Sequence, residues 1–174
     1  QLEEYADEAA GLIVSLMNPK MEEKVMASGI PAVNVAGSLR KPKIPTVRND
    51  DHQMGTMACE QLLAMEHQHL VSISPDNQSG YYSERRHQGF MMAALQRGVE
   101  PREVSLNERE LAACPKPFGV FAHNERMARD LLEILKPMEV DIPYDCAIIS
   151  AGDEPSICRI LKPTVSAIPI DWKA

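Results

Sequence analysis

Positive charge is scarce in this chain: 18 Lys and Arg stand against 25 Asp and Glu, a formal net charge of −7 over 174 residues. A surface that grips nucleic acid needs a clustered basic stripe, and none is visible, so this segment is not expected to hold DNA itself. The cysteines (Cys59, Cys114, Cys146 and Cys158) form no CxxC pair and have no regular spacing. No secretory leader is in view, so they read as reduced, mostly buried thiols of a cytoplasmic protein. No apolar run approaches the length of a membrane span. Catalytic signatures are missing too: there is no GxSxG elbow, no Walker loop, no GxGxxG after a strand and no HExxH helix. No enzyme, catalytic residue, cofactor or metal is therefore expected. Glu66, His67 and His69 stand close together, but a zinc site wants three or four convergent ligands, and they read as a solvated turn between a helix and a strand.

What is present is the balance of a soluble globular domain, 44% apolar and 25% charged, with ten methionines that read as core filler at helical spacing. Short apolar runs alternate with helical stretches. Gly11 to Ser15, Pro31 to Val35, Leu70 to Ser74, Phe118 to Ala122, Cys146 to Ser150 and Val165 to Ile168 read as strands. Helices are expected from about Lys20 to Ala27, after Asp50 and Asp51, after a cap at Ser83, and from Asn124 to Leu135. The stretch 37–46, with Gly37, Pro42 and Pro45, reads as a loop. This alternation predicts an α/β fold of parallel sheets flanked by helices. The densest punctuation is Pro75 to Gly80, which predicts a lobe boundary there. Residues 1–75 would form an N-terminal lobe, 76–168 a C-terminal lobe, and 169–174 a crossover back. Both ends fall inside the expected fold, as if the chain were a piece of a larger one.

Ligands of open parallel sheets sit beyond the carboxyl ends of the strands. Polar residues there become the candidates: Asp50, Arg86, Asn124 and, after the strand ending near Ser150, Asp153. Asp50 and Asn124 each have a plain alternative as helix caps. Arg86 is expected in the first turn of its helix, where a cation gains nothing from the helix dipole, which makes a binding role more plausible. Tyr81 and Tyr82 are the only adjacent aromatics in a chain with 5% aromatic residues. A sugar pocket needs such parts: carboxylates and amides for hydroxyl pairs, an arginine fork, and an aromatic face.

Four segments carry a family resemblance. Asp50-Asp51-His52-Gln53-Met54-Gly55 leads a helix into Glu66-His67-Gln68-His69. Ser83-Glu84-Arg85-Arg86-His87-Gln88-Gly89-Phe90 continues into Ala93-Ala94-Leu95. Phe121-Ala122-His123-Asn124-Glu125-Arg126-Met127-Ala128 and Asp141-Ile142-Pro143-Tyr144-Asp145-Cys146-Ala147-Ile148-Ile149-Ser150 follow. In this order and spacing they resemble the sugar-sensing domains of lactose-repressor-type transcriptional regulators. Gly29 to Val35, Pro45 to Arg48 and the tail from Ser156 to Ile168 look most like regulators of the xylose operon. The resemblance implies a two-lobed, periplasmic-binding-protein-like fold, incomplete at both ends, that senses D-xylose or another pentose by lobe closure. It also implies a homodimer and a DNA-binding domain fused outside this chain. Carried over by position, the ligand contacts would be Asp50, Arg86 and Asn124; Tyr82 joins them on its own chemistry, as the aromatic face. Two departures stand out: the family's Asp after the helix-opening Asn is Glu125 here, and its ligand-binding Asp falls on Gly152, so that either Asp153 substitutes by a shifted turn or this carboxylate is lost and the sugar preference has changed. A transport or chemotaxis binding protein of the same fold is the alternative.

Overall fold

The computed structural model describes residues 9–35, 37–76, 80–152 and 155–170. The elements run β1 (Leu12–Val14), α1 (Pro19–Ala27), β2 (Ala32–Asn34), α2 (Asp51–Ala64), β3 (His69–Ile73), α3 (Tyr81–Gln96), β4 (Arg102–Val104), α4 (Glu108–Ala112), β5 (Phe118–Ala122), α5 (Glu125–Leu135), β6 (Cys146–Ala151), α6 (Pro155–Ile160) and β7 (Ser166–Ile168). They form two compact units, Gln1–Asn49 with Gln78–Tyr82, and Asp50–Asn77 with Ser83–Ala174.

In the first unit β1 and β2 pair in parallel, with Leu12 opposite Ala32 and Val14 opposite Asn34. Leu16, Val25 and Leu39 make a small core, with Ile44 packed against it. Two buried polar groups hold the connections. Asn34 Oδ1 accepts from the Leu16 amide at 3.0 Å. The Glu22 carboxylate, 3% exposed, accepts from the amides of Lys43 and Ile44 at 2.6 and 3.3 Å. The proline-marked stretch 37–46 thus lacks regular structure yet is pinned by a buried acid, which satisfies backbone donors that would otherwise be orphaned.

The second unit is a five-stranded parallel sheet of order β4-β3-β5-β6-β7. Every residue of β5 and β6 is buried, as expected of central strands covered on both faces. The pleat sends alternate residues to opposite layers. Phe118, Val120 and Ala122 meet Leu131 and Leu135 of α5. Phe121, Ala147 and Ile149 meet Ala58 and Leu62 of α2 and Phe90 of α3. All four cysteines are buried free thiols. Burial raises the Cys59 thiol to about 11 and the Cys146 thiol to about 12.

Several expectations need correction. The lobe boundary does not fall at residue 75, because β3 is hydrogen-bonded to both β4 and β5 and belongs to the second unit with α2. The chain changes unit at Asn49 and Asp50, visits the first unit again at 78–82, and returns. Residues 169 and 170 of the expected crossover stay with the second unit, where Ile170 packs against the α2 and α3 layer. Ser83 does not cap α3, which begins two residues earlier at Tyr81; Ser83 is buried within it. His67 is buried rather than solvated. Glu66 takes a left-handed backbone, φ 66°. The amides of Glu66 and His67 return to the carbonyls of Leu63 and Leu62 at 2.9 and 3.1 Å. This paired helix ending turns the chain inward before β3. The expected position of Asp153 lies outside the described residues.

Candidate functional site

The strand order places β3 at a switch point. From β3 the chain moves to one side to form β4, then crosses to the other to form β5, β6 and β7. At such a point the connections leave in opposite directions and open a crevice beyond the carboxyl ends of the two strands. Each helix of the βαβ units runs back against the strands, so its N-terminus lies at that same edge.

Arg86 joins the elements there. It is 5% exposed and is the sixth residue of α3 rather than a first-turn residue, because the helix starts at Tyr81. Its Nε donates to Asp51 Oδ1 at 2.9 Å and its Nη1 to the carbonyl of His123 at 2.6 Å. Asp51 is itself 5% exposed. A buried charge demands such a partner. One guanidinium thus ties the first residue of α2 to the residue that follows β5.

Asp50 and Asn124 sit beside these two contact points. Asp50 is exposed and accepts from the Gln53 amide at 2.9 Å as the cap of α2. Asn124 accepts from the Met127 amide at 2.9 Å as the cap of α5. The structure therefore brings the segments of Asp50, Arg86 and Asn124 to one edge, but the groups in contact are Asp51, Arg86 and His123. Tyr82 belongs to the first unit, where its amide donates to the Gly37 carbonyl at 2.9 Å. The neighbouring Tyr81 ring is flanked by the guanidinium carbons of Arg40 and Arg48, at 5.1 and 5.6 Å from its centre.

A second polar chain, absent from the expected set, continues from His123. Ser72 Oγ on β3 lies 3.1 Å from His123 Nε2 and 2.9 Å from His87 Nδ1. His87 Nε2 is 3.4 Å from Glu103 Oε2, and the other Glu103 oxygen accepts from Ser74 Oγ at 2.7 Å. One proton arrangement satisfies this chain: His87 donates to Glu103, Ser72 donates to His87, and His123 Nε2 donates to Ser72. Nδ1 of His123 is then a bare acceptor, and among the described residues it has no partner. A signal for Asp51 was available, since positions 51, 54, 55, 58 and 62 share the buried face of α2. Ser72 and His123 offered none, because they follow or sit inside apolar runs of the kind any buried strand shows.

His123 is neutral. Burial, then His87, then Arg86 push its imidazole from 6.5 down to about 3. Burial also lowers His87, opposed by Glu103. Between about pH 6.5 and 3 the unfolded chain binds a proton at position 123 that the folded chain refuses, so stability falls as the pH falls through that window. The expected loss from His123 is up to about 1.4 kcal/mol per pH unit. Urea unfolding at a series of pH values checks this. His123→Gln should flatten the slope, and an unchanged slope would show that the imidazole is not the source.

A doubly wound sheet with buried polar groups joined at its switch point defines the class: an open α/β domain of parallel strands flanked by helices. More particularly, the chain belongs to the periplasmic-binding-protein-like family. Residues 59–174 match the family described as periplasmic binding protein-like domain. Residues 5–111 match the family described as periplasmic binding proteins and sugar binding domain of LacI family.

Solved structures share the fold. A periplasmic binding protein/LacI transcriptional regulator from Alkaliphilus metalliredigens, complexed with D-xylulofuranose, superposes with TM-score 0.74 at 21% identity over 98% of this chain and 66% of its own. A LacI family transcriptional regulator from Enterococcus faecium with bound ribose gives 0.73 at 22% identity over 98% and 68%. A transcription regulator like protein from Staphylococcus haemolyticus gives 0.77 at 17% identity over 97% and 66%. This chain therefore spans about two thirds of the length of these structures. Among the described residues, no helix is long and apolar enough to cross a membrane, and no group of three His, Cys, Asp or Glu side chains could hold a metal ion.

Proposed function

We propose that this chain is the effector-sensing domain of a transcriptional regulator and that its effector is a small sugar, D-xylose or another pentose. The observation that carries the proposal is the arginine-centred junction at the switch point of a sheet in a family described by sugar binding. Asp50, Asn124 and Arg86 would bind hydroxyl pairs at that edge, with Tyr82 and Asp153 as further contacts. Binding would occur without chemical conversion, and lobe closure on the sugar would be the signal. A ligand shifts such an equilibrium only by its difference in affinity for the two states. DNA would be reached through a fused domain, as a homodimer in the cytoplasm. Four buried free thiols support a reducing compartment over the periplasm of the transport alternative.

Isothermal calorimetry on the intact protein, with D-xylose and D-ribose as titrants, tests this reading. Asp50→Ala and Asn124→Ala should each weaken binding by about tenfold or more, since a lost hydrogen bond to a charged group, or a cap that also orients the ligand, is worth more than about 1.4 kcal/mol. As caps alone each should cost only about 1 kcal/mol of stability. Unchanged affinity in both variants would leave them as caps and nothing more.

A further inference from the structure

His87 and His123 approach edge to face, with ring centres 5.6 Å apart, and Ser72 Oγ lies within hydrogen-bond distance of both. The three come from α3, from the residue after β5, and from β3. With Glu103 of β4 they form a chain that runs from the surface inward. Glu103 is exposed and the His87 side chain is 14% exposed, whereas Ser72 and His123 are fully buried. The sugar-sensing reading uses none of these four side chains. As a structural network the chain is incomplete, because a buried polar atom normally finds a partner and Nδ1 of His123 has none among the described residues.

Ser72 has one hydroxyl proton and stands between two rings, so it donates to only one of them. While His87 is neutral, its Nε2 donates to Glu103 and its bare Nδ1 takes the Ser72 proton. His123 then donates to Ser72 through Nε2, which leaves its own Nδ1 bare. An imidazolium at position 87 carries a proton on both nitrogens. Its Nδ1 donates to Ser72, the hydroxyl turns its proton to Nε2 of His123, and that nitrogen accepts only when the His123 proton resides on Nδ1. We propose that the Glu103–His87–Ser72–His123 chain is a proton sensor that converts the charge of His87 into the tautomer of His123, and so switches a buried nitrogen beside the end of β5 from acceptor to donor. One proton enters, at His87; His123 stays neutral, its single proton moving from Nε2 to Nδ1 by exchange. The charged groups around the pair favour this division. Glu103, from β4, favours the cation at His87 against the larger effect of burial. Burial, then His87, then Arg86 of α3, itself held by Asp51 of α2, oppose a charge on His123. β5 presents the Phe121 ring, 5.2 Å from the His123 ring, and α5 presents the Met127 sulfur to the His123 amide. A carbonyl or carboxylate brought to His123 Nδ1 is matched only in the switched state, and an N–H donor only in the other.

The test is an acid titration of the intact, nitrogen-15-labelled protein, followed by proton–nitrogen correlation spectra of the imidazole rings, which show directly which ring nitrogen carries a proton. No ligand is involved, so the result stands apart from the sugar-sensing reading. As His87 gains its second proton, below its ordinary range because of burial, the bare nitrogen of His123 should change from Nδ1 to Nε2 with the same midpoint. Glu103→Gln, at an exposed position, removes the carboxylate that favours the His87 cation, so both changes should move to lower pH together. Ser72→Ala should leave His87 titrating and hold His123 in one tautomer throughout, with thermal melts as the control for folding. The same bare nitrogen on His123 before and after the His87 titration overturns the proposal. So does a His123 change that keeps its midpoint when Glu103→Gln moves that of His87, or a His87 that stays neutral until the protein unfolds.

Discussion

Asp51→Ala is expected to lower the unfolding free energy by about 3–5 kcal/mol, because it takes the carboxylate away from a buried guanidinium. Both partners are 5% exposed, and the contact is 2.9 Å. The weak energies of surface pairs, about 0–1 kcal/mol, do not apply where water cannot replace the lost partner. Arg86→Ala should cost a similar amount, now by taking the cation away from Asp51 and by removing the donor that binds the His123 carbonyl at 2.6 Å. The signature of the pair is non-additivity. Asp51→Leu with Arg86→Met should be far more stable than the sum of Asp51→Leu and Arg86→Met made singly implies, since a buried ion pair exchanged for apolar groups of similar size is often neutral. Urea unfolding of the two singles and the double measures the coupling, and a coupling near zero would mean that each group has an adequate partner elsewhere. One consequence concerns binding. Arg86 looks dispensable to the fold when placed in a first helical turn, but it is a structural junction, so lost sugar binding in Arg86→Ala must be separated from lost folding before it says anything about contact.

The parallel α/β class was legible because its central strands are buried on both faces and so write continuous apolar runs, as in Phe118 to Ala122 and Cys146 to Ala151. The edge of the same sheet was not. β4 is three residues long, with Arg102 and Glu103 exposed, and a short polar edge strand is indistinguishable from a loop. α4, with five residues, is likewise too short to show a period. The unit boundary hid for a different reason. Turn-forming residues mark flexible backbone, but the chain changes unit at Asn49 and Asp50, where it enters a capped helix without Gly or Pro. At the site, sequence led to the strand ends and to the starts of α2 and α5, whereas α3 starts two residues before the expected Ser83, and it did not single out Asp51, the neighbour of Asp50 that meets Arg86. An N-cap and the residue after it look alike in sequence; only the second lies on the stripe with Met54, Ala58 and Leu62 that faces inward. His123, Ser72 and His87 come together from three separate elements, and no local pattern encodes that meeting.

The Asp51–Arg86 contact depends in turn on two glycines, and Gly89→Ala is expected to be among the most damaging single changes in the second unit. In an open helix interior this change would stabilise, because Ala is favoured over Gly by about 0.5–1 kcal/mol. Here a Cβ on Gly89 would overlap the backbone carbonyl oxygen of His52 in α2. A Cβ on Gly55 would overlap the backbone carbonyl oxygen of Arg86 in α3 and come within 2.7 Å of the Phe90 amide nitrogen. The obstacles are backbone atoms of packed helices, which cannot step aside as a side-chain tip can. Overpacking of a core typically costs about 1–3 kcal/mol, and a clash with rigid backbone should lie at or beyond the upper end. The damage should also reach the site. Gly89 is one turn along α3 from Arg86, and His52 adjoins Asp51, so moving the helices apart lengthens the ion pair the glycines permit. Gly98 is an internal comparison: with φ 76° and nothing within 4 Å of its built Cβ, its cost on substitution is backbone conformation alone, about 1–2 kcal/mol. Chemical denaturation of Gly89→Ala and Gly98→Ala should rank the first as clearly worse, and Gly89→Ala combined with Asp51→Ala should fall short of additive, because the first change already weakens the pair. A Gly89→Ala protein as stable as the parent would mean that α2 and α3 do not approach this closely, and the interlock that holds Arg86 against Asp51 would have to be abandoned.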